Sequence, residues 1–112
     1  MPKPLPPALR ERNRYMVFEI ISENGSFSKR DVSKVIQNTS LQFLGELGVS
    51  KMSLWLIEWN DETKKGILKV NHKSVNEMRA SIALIKEING KKATFHVLGV
   101  SGTIKRAREK YC

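Results

Sequence analysis

Cysteine is almost missing from this chain: the single one stands at position 112, the last residue. No internal disulfide, no zinc site of cysteines and no buried thiol nucleophile can be built from it, and a reducing, cytoplasmic compartment is expected. Proline is confined to positions 2, 4, 6 and 7. Each fixes φ and removes a backbone donor, so residues 1–9 are expected to be extended and irregular. No apolar run approaches the ~18 residues of a membrane span. The opening MPKPLPP also lacks a signal-peptide hydrophobic region. A soluble, unprocessed protein with no membrane partner is the expectation. Acid is scarce too, with 11 Asp and Glu against 20 Lys and Arg and a formal net charge of +9.

The 112 residues suit one domain, and a chain of this size buries somewhat over ~60% of its unfolded surface. The placement of the charge is more telling than its amount. Residues 1–14 hold Lys3, Arg10, Arg12 and Arg14 against Glu11, a net +3. Residues 91–112 hold Lys91, Lys92, Lys105, Arg106, Arg108 and Lys110 against Glu109, a net +5. The middle is nearly neutral, so the two ends form a basic footprint of the kind that meets nucleic acid. The residues nominated for that contact are Arg10, Arg12, Arg14, Lys105, Arg106, Arg108 and Lys110. The bland alternative is a solubilising leader and a solvated tail.

Along the chain, YMVFEIIS at 15–22 is dense in β-branched and aromatic residues and reads as a first strand. Asn24-Gly25-Ser26 signals a turn, and Ser28 with Asp31 three residues on forms a helix start. Val32, Val35, Ile36, Phe43, Leu44 and Leu47 continue at helical spacing, which predicts a helix over 28–47 that Gly45 and Gly48 punctuate. A second strand is predicted over 49–60, with Trp55, Ile57 and Trp59 on one face and Leu54 and Leu56 on the other. A polar hairpin loop at 60–66 leads to a third strand over 67–72. A second helix is predicted over 74–88, closed by Asn89-Gly90. A fourth strand over 92–101 and a short basic helix over 103–111 complete the chain.

The order β-α-β-β-α-β is the ferredoxin-like, RNA-recognition-like α+β sandwich, with both long helices on one face of an antiparallel sheet. It divides the chain into a Pro/Arg-rich arm at 1–14, the sandwich at 15–101 and a basic C-terminal helix at 102–112. A sheet with one solvated face should alternate apolar and polar residues, yet these strands are apolar on both sides. The tail helix, the arm or another protein should cover the second face.

Catalytic constellations are not found. Gly99-Val100-Ser101-Gly102 is close to a nucleophile elbow, but Thr103 stands where Gly is required and no triad follows. Small residues in a strand-to-helix turn are the plainer reading, with the helix start able to offer N–H groups to a phosphate. His72 and His96 lack a ligand pattern around them. Asp61 and Glu62 read as a solvated turn or, less readily, as a hydrated-cation site. Trp55 and Trp59 suit base stacking or burial against a partner protein, and are nominated as partner-binding.

LPPALRERNRY, FEII, Asp31-Val32, SLWLIEW and above all ALIKEINGKKATFHVLGVSGTIKRAREKY, in this order and spacing, resemble protein component 2 of archaeal ribonuclease P over nearly the whole chain. The resemblance implies an RNA-binding-like α/β fold in a ribonucleoprotein that removes the 5′ leader of precursor tRNA. It implies that the RNA subunit performs the hydrolysis with magnesium ions, that this chain binds no cofactor and is not itself catalytic, and that its partners are ribonuclease P RNA, the barrel-shaped component 3 and other protein subunits. Precursor tRNA would be the substrate of the whole particle. Competing readings are a ribosomal or generic RNA-binding protein of the same fold and a small-molecule regulatory domain.

Overall fold

The structure is a computed structural model that describes residues 12–23, 25–52 and 54–112, with backbone alone for 48–52. Of the arm expected over 1–14, residues 1–11, Arg10 included, lie outside the described residues.

Strand β1 runs Asn13–Ile21, helix α1 Lys29–Met52, β2 Trp55–Asn60 and β3 Lys65–Asn71. A 3-10 turn at His72–Ser74 leads into α2, Val75–Ala83, followed by the short strands β4 (Glu87–Ile88) and β5 (Lys91–Lys92), then β6 at Thr94–Ser101 and α3 at Ile104–Tyr111. The main sheet has the order β2-β3-β1-β6, and its three pairings are antiparallel. This is the ferredoxin-like arrangement, with the first and third strands in the centre.

Alternation along β1 divides the core. Met16, Phe18 and Ile20 point toward α1 and α2, where they pack with Val32, Ile36, Met78 and Ile82. Each such side chain, fully buried, contributes about 1.5–3 kcal/mol. Phe18 stacks between Trp59 (6.2 Å between centroids) and Phe95 (5.3 Å). Val17 points the other way, into a second cluster with Ile67 and with Ala107 of α3, flanked by Tyr15, Leu98 and Tyr111. Of the three covers considered for the second sheet face, the tail helix occupies this part.

Ser28 starts α1 as expected, its Oγ accepting from the Asp31 N–H at 3.1 Å. The helix does not end at 47. Gly45 adopts φ 75° and ψ 174°, and the chain resumes helical geometry to Met52, so the strand predicted from 49 begins only at Trp55. Glycine leaves the helical region there at no steric cost, which makes a kink where a stop was expected. The second helix is also shorter than predicted. It ends at Ala83 because Asn89-Gly90, with φ of 51° and 80°, is the tight turn of the β4–β5 hairpin. Two successive positive-φ residues suit such a turn, and the cap of α2 is Leu84 instead. Ile85 and Ile88 remain in the core all the same. No described helix is long and apolar enough to cross a membrane.

Candidate nucleic-acid interface

The basic surface begins where β6 gives way to α3. Thr103 has extended backbone, and its Oγ1 accepts from the Arg106 N–H at 3.2 Å, which satisfies one of the orphan donors of the helix start. Ile104, Ala107 and Tyr111 follow at three- and four-residue spacing and turn inward, with Ala107 fully buried. That stripe forces Lys105, Arg106, Arg108, Glu109 and Lys110 into solvent. Arg108 and Lys110 fall in the last turn, where the helix dipole favours cations.

Two contacts hold α3 in place. The Tyr111 ring lies so close over Gly99 that a Cβ at that position would overlap it. Lys65 Nζ donates to the Tyr111 carbonyl at 3.3 Å. A third contact redirects a nominated cation: Arg108 is ion-paired with Glu58 of β2. Arg106 and Lys110 line a cleft of about 420 Å³ with Ser101, Gly102, Glu109 and Tyr111, and the Lys110 ammonium lies 5.5 Å from the Tyr111 ring centroid.

Antiparallel pairing of Tyr15 with Ser101 brings the start of β1 to the start of α3. Arg14 is therefore beside the end of β6, its Nη1 donating to the Asn13 carbonyl at 3.1 Å. Arg12 is exposed, and its carbonyl accepts from the His72 N–H at 2.8 Å. Six of the seven nominated cations are thus described, and the topology gathers them at one end of β1 and β6 and along α3.

The two tryptophans do not share a face. Leu56 pairs with Leu68, Glu58 with Ile67 and Trp59 with Gly66, so a bulge at Ile57 breaks the two-residue period. Trp59 falls on the core side, where its Nε1 donates to the Phe27 carbonyl at 2.6 Å. Trp55 remains 65% exposed. Asp61 and Glu62 stand in the solvated turn after β2, as expected. The Asp61 carboxylate accepts from Ser26 Oγ and from the Phe27 N–H at 2.8 Å, and these bonds, led by Ser26 and helped by Lys64, hold it below the ordinary carboxylate value. His96 faces Glu19 at 3.4 Å. Among the described residues no three His, Cys, Asp or Glu side chains come together as a metal site. Three cations outside the nominated set also stand near β2: Lys65, which the sequence places in a loop and the fold on β3, and Lys29 and Arg30 in the first turn of α1.

The Rpp14/Pop5 family model matches residues 14–112. Ribonuclease P protein component 2 of Thermococcus gammatolerans is 47% identical over 110 residues, covering 98% of this chain and 91% of that protein. Its namesake in Pyrococcus furiosus is 46% identical over 110 residues, with the same 98% and 91% coverage, and that of Methanosarcina mazei 43% over 109, covering 97% and 91%. Among solved structures, a chain in the cryo-EM structure of yeast ribonuclease MRP superposes with a TM-score of 0.69 at 16% identity, covering 84% of this chain and 76% of that one; that likeness speaks to the fold. With the family model spanning the whole sandwich and the basic helix, and with relatives aligned nearly end to end, the chain belongs to the Rpp14/Pop5 family.

Proposed function

We propose that this chain is a protein subunit of ribonuclease P that binds the catalytic RNA and supports its removal of the 5′ leader from precursor tRNA. The observation that carries the reading is family membership across the sandwich and α3, with near full-length relatives named for that particle. Phosphodiester hydrolysis falls to the RNA with magnesium. What supports a non-catalytic role for the chain is that three of its acids are engaged within the fold: Asp61 with Ser26 and Phe27, Glu58 with Arg108, Glu19 with His96.

RNA contact is assigned to Arg12, Arg14, Lys105, Arg106, Arg108 and Lys110, and to Arg10, which lies outside the described residues. Component 3 and other protein subunits are the expected protein partners. The exposed apolar side chains Leu41, Phe43 and Leu84 are available to them, whereas Trp59 is taken up by the core.

Reconstitution tests the reading. Purified chain incubated with precursor tRNA and magnesium should leave the leader uncut. Adding it to the ribonuclease P RNA and the remaining protein subunits should raise 5′ cleavage over the same mixture without it. Authentic cleavage by the chain alone, or no gain on its addition, overturns the assignment.

A further inference from the structure

The strand order leaves the outer edge of β2 open. An open edge invites another strand, and proteins block this with bulges and charged side chains. Both devices occur here: β2 bulges at Ile57, and Lys29 Nζ donates to the Ile57 carbonyl at 3.1 Å. The edge is thereby hindered for backbone pairing at Ile57, yet Trp55 on it remains 65% exposed, although an indole is among the largest apolar surfaces a protein can bury.

Trp55 is one wall of a groove of about 430 Å³ between β2 and α1, lined otherwise by Lys29, Arg30, Ser33, Gln37 and Leu56. The three central α1 residues, Arg30, Ser33 and Gln37, recur at three- and four-residue spacing and so form one stripe of the helix. The groove combines an aromatic surface, a hydroxyl and an amide able both to donate and to accept, and two cations. No acid is among its lining residues.

We propose that this groove is a second RNA site, separate from α3, that takes one unpaired nucleotide. The base stacks on the Trp55 indole, Ser33 and Gln37 meet its edge, and Lys29 and Arg30 meet the adjoining phosphate. Stacking on exposed aromatics beside cations is the general way proteins hold unpaired nucleotides. A protein segment fits less well, because the bulge and Lys29 hinder strand addition and the groove supplies a single aromatic anchor. The groove opens at the β2 edge: its α1 residues and Leu56 lie toward the helix side, while Trp55, paired with Lys69, stands on the face where Ala107 of α3 packs on Val17, so an RNA held at both places would run from α3 to the β2 edge. The proposal rests on the RNA-binding reading above and adds a place and a mode to it.

The test is titration of the intact chain with a short unstructured single-stranded RNA, followed by anisotropy at several salt concentrations. Trp55→Ala should weaken binding by about five-fold or more, the range reported for losing one stacked base, with the salt slope unchanged. Trp55→Phe should retain most of the affinity. Arg30→Gln should flatten the slope by roughly 0.7. Wild-type affinity in a folded Trp55→Ala variant overturns the groove site, and does so alone if Arg106→Ala still weakens binding. Failure of the wild type to bind RNA overturns this site and the RNA-binding reading together. If Trp55→Ala keeps its RNA affinity but no longer joins the other protein subunits, the groove belongs to a protein.

Discussion

Asp61 shows how one carboxylate can fix a loop that the sequence leaves undefined. It accepts from Ser26 and from the Phe27 N–H, while Trp59 donates to the Phe27 carbonyl from the other side, so Phe27 is held at both ends of its peptide and is buried. Because the folded state favours the charged form, the carboxyl sits below its ordinary value of 3.8. Its stabilisation is therefore complete above that value and is lost as pH falls through the folded pKa. Asp61→Asn should lower the melting temperature near neutrality, since charge-assisted bonds become neutral ones. The gap should begin to narrow as pH falls below 3.8 and close once pH passes the lower folded pKa, where the native carboxyl protonates too. An equal gap at both pH values would show that the charge is not what ties the loop.

Among the elements, α3 is held to the sheet by a small cluster of side chains. Ala107 is its one fully buried side chain, and Tyr111 reaches Gly99. Gly99→Ala should push the ring away and destabilise by about 1–3 kcal/mol, as overpacking does. In a Tyr111→Ala background the same change should be nearly silent, which a double-mutant cycle by urea unfolding measures; additive losses would place the cost elsewhere. The presence of α3 was legible as a short basic run after a strand, while the inward turn of 104, 107 and 111 emerged with the fold. The start of α1 was legible from Ser28 and Asp31, and the strand order followed from the element order. What was not legible depends on tertiary geometry. The bulge at Ile57 moves Trp59 to the other face without any residue that announces it. Gly45 kinks a helix that a glycine in other surroundings would end, and Asn89-Gly90 serves two different turns equally well as a sequence. The basic site was legible as two distant clusters, but the capture of Arg108 by Glu58 required the fold.

Over the whole molecule, the net charge of +9 acquires a direction because β1 and β6 pair antiparallel, which joins the N-terminal cations to those of α3. Not all of them are equally available to a phosphate. Arg108 already faces Glu58, so part of any new contact replaces an existing one. Arg106 and Lys110, both exposed and both lining the cleft beside Ser101, carry no such tie to an acid across the sheet. Each cation that touches phosphate releases counterions and adds roughly 0.7–0.9 to the slope of log affinity against log salt. The pair Arg106→Ala and Lys110→Ala should therefore flatten the slope for ribonuclease P RNA by about 1.5, with stability within about 0.5 kcal/mol of wild type because both are surface positions. Arg108→Ala should flatten it less than either single change, and Glu58→Gln should steepen it by freeing the guanidinium. A folded Arg106, Lys110 double variant with an unchanged slope would assign the charge of α3 to solubility and move the RNA surface away from this end of the sheet.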